Sequence, residues 1–420
     1  MRTRLTKVSL DLSLTIALMA SAATALAAES TSPSRVLGFQ LYDSGRYQEA
    51  IPELDRVIER HPRDIEARTR RGNANLKLDQ PAKALIDFDQ ILKYHPFFAG
   101  AYNGRGMALT MLGDLEKARE SFDRGIKMGN SPFATANFPF GISSFPDLPS
   151  PALVPQYRAE GQATAHNGLG QVYYRQGRHE DAIGQYNEAL GQVASANSYI
   201  GRGDAYLALG QVNEALNDYN EAIRVDPNAS RAYRSRGDLY FRAKRDAEAL
   251  ADFDQALALD PSDAFGHSLR GALLSRTGQN QRALEDYDAI IQLHPDDAGA
   301  FKDRGGVLVR MGQFKRALDD LNTAIQLDPK RMASYLNRGA AYNGLGDYER
   351  AIADLDRVLA SDPDNAAART NIGMAYYMVG KYDQAIEDLS LAVKLAPRTA
   401  LVHFNRGNVL ARLGFREQAI

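Results

Sequence analysis

The chain has 420 residues, a formal net charge of −2 at pH 7, 44% apolar residues and 24% charged residues. So small a charge gives nucleic-acid binding no bulk electrostatic support, and the composition is that of a folded chain, not a disordered one. Without cysteine, neither a disulfide framework nor a thiolate metal site can form, and stability must come from packing.

In chain order, Arg2, Arg4 and Lys7 precede a mainly apolar run from Leu12 to Ala20, and Ala25-Leu26-Ala27 supplies small residues for cleavage. This pattern predicts a signal peptide over 1–27 and a mature chain that is periplasmic or secreted. Asp11 sits at the edge of the run, so an uncleaved anchor is the competing reading. No later stretch is long and apolar enough to span a bilayer.

Beyond residue 30 the chain repeats. Gly38, Gly72 and Gly106 are 34 residues apart, and Gly203, Gly237, Gly271, Gly305, Gly339, Gly373 and Gly407 keep the same step, with Gly170 between the two series. An alanine follows each glycine by twelve residues, from Ala50 to Ala419, and a large apolar side chain follows four later, as at Phe88, Tyr219 and Leu355. Spacing of four is helical. A proline usually closes the unit, as at Pro62, Pro261 and Pro397, because it cannot continue a helix. A second glycine, such as Gly210 or Gly346, marks a turn between two helices. Each unit therefore reads as helix, turn, helix. Glycine and alanine allow close helix approach while the large residue fills the space beside them. One hairpin cannot bury both faces, so the units must stack.

With the glycine of each unit set as position 8, positions 4, 11, 20, 24, 27 and 32 match the tetratricopeptide repeat. Unit 5 shows it with Tyr199, Gly203, Tyr206, Ala215, Tyr219, Ala222 and Pro227. From about residue 31 to 420 the chain thus resembles that family. The resemblance implies an all-α fold, a right-handed α-solenoid of helix-turn-helix repeats with a concave peptide-binding face. The expected organisation is repeats 1–3 over 28–130, an insertion over 131–160, and repeats 4–11 over 161–420.

The insertion is rich in proline and phenylalanine, including Phe133, Phe138, Phe140, Phe145, Pro146 and Pro155. Helix is not expected there. Two readings stand: a segment that docks into the groove or onto a partner, and a tolerated surface loop. The last repeat carries a first helix over Leu401 to Arg412 but stops at Ile420, which predicts a fragment of a longer protein or a truncated gene.

Family members usually carry leucine at position 7, whereas eight repeats here have arginine: Arg71, Arg105, Arg202, Arg236, Arg270, Arg304, Arg338 and Arg406. Aspartate often lies sixteen residues on, pairing Arg71 with Asp87, Arg202 with Asp218, Arg236 with Asp252, Arg270 with Asp286, Arg304 with Asp320 and Arg338 with Asp354. The expectation is a ladder of exposed ion pairs, each contributing at most about 1 kcal/mol. At 100° per residue, position 7 lies on one flank of the first helix and positions 2, 5, 9, 12 and 13 lie on the other.

That second flank is the expected groove. In repeats 6–8 it presents Arg231, Arg234, Arg242, Arg276, Lys302 and Arg310 with Asp238 opposing, a pattern that favours acidic partners. In repeats 9–11, together with position 6, it presents Leu336, Asn337, Asn343, Asn371, Met374, Tyr377, Met378, Phe404, Asn405 and Asn408. Asparagine can pair with a peptide backbone, and methionine and aromatic rings accept apolar side chains. Family members that clamp a C-terminal carboxylate pair lysine at position 5 with asparagine at position 9. Here Lys302 is followed by Gly306 and Arg234 by Asp238, so that recognition is not implied.

The seven histidines are scattered, and His61, His95 and His294 precede repeat-closing prolines, so no zinc site is expected. Gly104-Arg105-Gly106, Gly168-Leu169-Gly170 and Gly201-Arg202-Gly203 look like the start of a dinucleotide motif but fall inside predicted helices with no preceding strand. No catalytic residue, cofactor or metal is expected. The function expected is a non-catalytic protein- or peptide-binding scaffold or adaptor of the cell envelope. The alternative is the recognition arm of an enzyme whose catalytic domain lies beyond residue 420.

Overall fold

The computed structural model describes residues 32–129 and 154–415. The predicted signal peptide, most of the predicted insertion with its phenylalanines, and the final Ala419-Ile420 lie outside the described residues. Among the described residues there are twenty-one α-helices and no strand.

The chain divides into two compact units, residues 1–227 and 228–420. The first holds five hairpins: α1 (Pro33–Asp43) with α2 (Tyr47–Arg60), α3 (Ile65–Lys77) with α4 (Pro81–Tyr94), α5 (Ala99–Leu112) with α6 (Leu115–Gly129), α7 (Val154–Arg175) with α8 (His179–Gln192), and α9 (Ala196–Ala208) with α10 (Val212–Val225). The second unit begins with α11 (Ser230–Arg242), α12 (Asp246–Leu259), α13 (Ala264–Arg276), α14 (Asn280–Leu293), α15 (Ala298–Arg310) and α16 (Phe314–Leu327). It continues with α17 (Met332–Leu345), α18 (Tyr348–Ser361), α19 (Ala366–Met378), α20 (Tyr382–Leu395) and α21 (Ala400–Leu413). Odd-numbered helices are the first of each repeat. Inside each unit every helix packs on its chain neighbours, and most first helices also touch the first helix of the next repeat. Each unit is therefore a layered α-solenoid.

One expectation changes at the insertion. Residues 154–160 belong to α7, a helix of 22 residues. Pro155 does not prevent this, because proline in a first helical turn removes only a hydrogen bond that has no partner there.

Local chemistry sets the helix ends. Asp64, Ser195, Asp263, Asp297 and Asn365 each accept a hydrogen bond from a first-turn amide of the helix that follows. Between helices the backbone turns left-handed at glycines such as Gly210, Gly278 and Gly346. Asp79 and Lys244 hold this conformation without being glycine, and their φ values are 55° and 58°.

The core repeats with the sequence. Ala84, Ala215, Ala283 and Ala351 are fully buried, as are Phe88, Tyr219 and Leu355 at position 24. A Cβ at Gly106 would lie 2.7 Å from the Phe122 ring, and one at Gly72 would lie 2.8 Å from Phe88. The same rings press on a second glycine two residues before the first one of the following repeat: Phe88 on Gly104, Phe122 on Gly168, and Tyr186 on Gly201. The Gly-x-Gly pattern is therefore a slot for an aromatic ring held between consecutive first helices.

All six predicted arginine–aspartate pairs form. Each is a two-pronged fork, as in Arg202 Nε and Nη2 to Asp218 at 2.8 and 2.7 Å, or Arg338 to Asp354 at 2.7 and 2.8 Å. The expectation of exposed pairs is corrected, because the aspartate side chains are buried: Asp87 and Asp286 retain 1% accessibility. Hydrogen bonds donated to Asp218, Asp252 and Asp354 hold the Arg202, Arg236 and Arg338 guanidiniums above their ordinary value. The third arginine nitrogen reaches back to the preceding repeat, from Arg71 to Asp55, Arg270 to Asp254, Arg304 to Asp288 and Arg338 to Asn322. The row thus links neighbouring repeats as well as the two helices of one repeat. Arg105, facing Ser121 in place of aspartate, bonds that hydroxyl at 2.7 Å and Asp89 at 2.7 Å.

Position 4 supplies a further tie. Arg68, Tyr102, His267, Tyr335, Arg369 and His403 each hydrogen-bond the carbonyl of the proline six residues earlier, at 2.8–3.2 Å. Arg68 and His267 also reach the buried aspartates Asp87 and Asp286, and Arg369 the half-buried Asp388, each on its own second helix.

Candidate functional site

The first helices carry the candidate site, and the cations predicted for repeats 6–8 fall into two groups. Arg231, Arg242, Arg276 and Arg310 are exposed, whereas Arg234 and Lys302 are half-buried. Most of their charge is matched locally. Arg234 donates to Asp263 at 2.6 Å and stacks 5.3 Å from the Phe265 ring centre. Arg242 meets Asp238 at 2.7 Å, and Lys302 meets Asp303 at 2.7 Å. Arg276 pairs with Asp246 while lying 3.9 Å over the Phe241 ring, and Arg310 bonds the Ser275 hydroxyl. Besides the opposing Asp238, the carboxylates of Asp246, Asp263 and Asp303 also meet these cations, so Arg234, Arg242, Arg276 and Lys302 each have a carboxylate partner.

The asparagine expectation is corrected more strongly. Asn405 is buried. Asn343 donates its amide to the Asn371 carbonyl at 2.8 Å, and Asn337 reaches the Lys302 carbonyl at 3.5 Å. These amides join consecutive first helices and are not held open for a peptide backbone. Asn371 and Asn408 are half-buried.

Of the apolar members of the site, Met378 and Phe404 face outward, whereas Leu336 is half-buried and packs against the core. Met374 and Tyr377 are half-buried, with the Tyr377 ring 5.7 Å from Tyr382. Met378 is 51% exposed, Leu401 59% and Phe404 64%, and in repeat 7 Phe265 is 57% exposed. Leucine, methionine and phenylalanine left open in helices whose other faces are tightly packed form the feature most readily used for binding.

Elsewhere, a depression of about 360 Å³ between α14, α15 and α16 is lined by Asp288, Ile291, Arg304, Leu308, Arg316 and Asp320. Asp288, Arg304 and Asp320 belong to the arginine–aspartate row, and Arg316 bonds the Gln313 side chain. Among the described residues no cluster of three His, Asp or Glu side chains is placed to hold a metal ion, and no helix is long and apolar enough to cross a membrane.

Stacked helical hairpins and glycine slots for aromatic rings define an α-helical repeat protein. Profiles described as tetratricopeptide repeat match residues 40–90, 76–134, 200–264, 336–400 and 370–419, and two others of that description match 161–228 and 269–336. The chain belongs to the tetratricopeptide repeat family, whose members are generally protein-binding scaffolds.

No curated protein sequence matches the chain. Among solved structures it is similar to YrrB, described as a TPR protein with an unusual peptide-binding site, at 24% identity over 44% of this chain and 95% of that one, with a TM-score of 0.36. The Cut9–Hcn1 hetero-tetramer of the APC/C matches at 13% identity over 92% and 98%, with a TM-score of 0.46. Yeast Tom70 matches at 17% identity over 92% and 94%, with a TM-score of 0.37.

Proposed function

We propose that this chain is a non-catalytic scaffold or adaptor of the cell envelope that holds protein segments against its first helices. The observation that carries the reading is the set of outward-facing apolar residues at recurring positions: Phe265 and Leu401 at position 2, Phe404 at position 5, and Met378 at position 13. Most other apolar side chains of these helices are packed inside, and the ionisable groups that recur are largely engaged in joining one repeat to the next. A scaffold needs this division between a self-sufficient frame and an open face. The envelope assignment rests on the basic and apolar N-terminal sequence ending in Ala25-Leu26-Ala27.

The test joins location with capture. Fractionation should recover the processed chain outside the cytoplasm, and affinity capture from envelope extracts should recover a partner that Phe265→Ala, Met378→Ala and Phe404→Ala together release. Recovery in the cytoplasm overturns the envelope assignment, and a partner retained by the triple variant overturns the assignment of the face.

A further inference from the structure

The first helices of repeats 9–11 differ in charge from those of repeats 6–8. The three first helices α17, α19 and α21 contain no aspartate or glutamate at all. Their ionisable groups with basic character are Arg338, Arg369, His403, Arg406 and Arg412. Arg338 and Arg369 are neutralised from behind by Asp354 and Asp388. Arg406 and Arg412 meet no carboxylate among the described residues, and Arg412 makes only a 3.4 Å contact from Nε to the Tyr382 hydroxyl.

Geometry places that cation beside the apolar patch. Leu401, Phe404, Asn408 and Arg412 are separated by three, four and four residues, which sets them along one face of α21. Met374 and Met378 occupy, on α19, the positions that Asn408 and Arg412 occupy on α21, and the two helices touch. The surface therefore runs from exposed leucine and phenylalanine, past adaptable methionines, to an unneutralised guanidinium. Of its amides, Asn343 and Asn337 donate between helices and Asn405 is buried, while Asn371 and Asn408 are half-buried.

We propose that this face of repeats 10 and 11 takes an acidic amphipathic segment of a partner protein, whose aliphatic or aromatic side chains pack on Met378, Leu401 and Phe404 and whose carboxylates meet Arg412. The proposal rests on the protein-binding reading above and narrows it to one place and one ligand chemistry. Apolar contact supplies the affinity, and the absence of any carboxylate on three successive helices supplies the selection by charge. A basic segment of equal hydrophobicity meets only repulsion there.

The probes are short fluorescein-labelled peptides sharing one Leu- and Phe-containing core, followed by glutamates, glutamines or lysines, titrated against the full chain by fluorescence anisotropy. The glutamate peptide should bind at least about tenfold more tightly than the lysine peptide at low salt, with the gap closing as salt rises. Phe404→Ala combined with Met378→Ala should weaken the glutamate peptide about tenfold or more. Arg412→Glu should abolish or invert the charge preference, with unchanged thermal melts showing that each variant is folded. Equal binding of the three peptides, or binding that depends on Phe265 and not on Phe404, overturns this inference and leaves the broader reading standing. Concentration-dependent self-association that Phe404→Glu removes gives the face to a second copy of the chain and also overturns it. Failure of every peptide, together with failure of the envelope capture, removes both readings.

Discussion

Arg304 grips Asp320 with Nε at 2.8 Å and Nη2 at 2.6 Å while its third nitrogen holds Asp288 of the preceding repeat at 2.6 Å. The two carboxylates differ in burial, with Asp320 at 9% and Asp288 at 49% accessibility. Asp320→Ala leaves a partly buried guanidinium without its fork, and the expected cost is about 3–5 kcal/mol. Asp288→Ala removes a solvated partner, and about 1 kcal/mol or less is expected. Urea unfolding of the two variants checks the contrast; equal losses would show that burial does not set the strength of the row.

The ring slot gives a second prediction. A Cβ added at Gly201 would fall inside the van der Waals envelope of Tyr186, and the Tyr186 hydroxyl lies on the same side. Gly201→Ala should cost about 1–3 kcal/mol, the usual penalty for overpacking a filled core. In repeats 8–10 position 24 is Leu321, Leu355 or Leu389, and the facing position of the next repeat is Asn337, Asn371 or Asn405. Tyr186→Leu should accordingly restore much of the stability lost in Gly201→Ala. Thermal melts of the single and double variants decide it, and strictly additive losses would sink the slot.

Much of this architecture was legible in the sequence, for a physical reason that particular residues expose. Gly72, Ala84 and Phe88 recur at one spacing because each helix pair must solve the same packing problem, and Arg304 points to Asp320 through the same arithmetic. That arithmetic also runs backward from Arg304 to Asp288, yet this link appears only once repeats are stacked. The ties from Tyr102, His267 and Arg369 to proline carbonyls were hidden because a backbone acceptor leaves no residue-type signal. For the same reason Asn343 looked free: its partner is the carbonyl of Asn371, and only the approach of α17 to α19 brings the two together.

His267 gives the pH prediction. Its Nδ1 lies 2.7 Å from Asp286 and its Nε2 3.1 Å from the Pro261 carbonyl, so a doubly protonated ring satisfies both acceptors. The hydrogen bond to Asp286 raises the histidine above its ordinary value, against burial and the nearby Arg270. A raised folded value means that the stabilisation is fully present below the unfolded pKa of about 6.5 and is lost as pH rises through the folded one. The melting temperature of the chain, compared with that of His267→Gln, should therefore show an advantage at mildly acid pH that shrinks on the alkaline side. A difference that is constant across that range would exclude the imidazolium.

Position 7 is not arginine in repeats 1, 4 and 10, where it is Leu37, Leu169 and Ile372, and restoring it in repeat 10 is the sharpest test of the row's design. In repeat 2, Arg71 bridges Asp55 and Asp87 while Arg68 adds a second contact to Asp87. Repeat 10 keeps the equivalent carboxylates Asp356 and Asp388 and the equivalent Arg369, but position 7 is Ile372. Burial first, and the proximity of Asp388 second, raise Asp356 above the usual carboxylate range; burial also raises Asp388, against the pull of Arg369. Raised carboxyl values mean that the folded state gives up stability as pH climbs from the unfolded value through the raised one, so at neutral pH these groups are a cost. Ile372→Arg supplies the missing fork between them, and its stem can cover much of the surface that the isoleucine leaves. A gain of about 1 kcal/mol, or about 2–4 °C in melting temperature, is expected at pH 7 and should shrink as acid protonates the two carboxylates. Ile372→Lys carries the charge without the planar fork and should recover less. A fall in melting temperature for Ile372→Arg at pH 7 that matches the fall at pH 3 would mean that Ile372 serves packing alone.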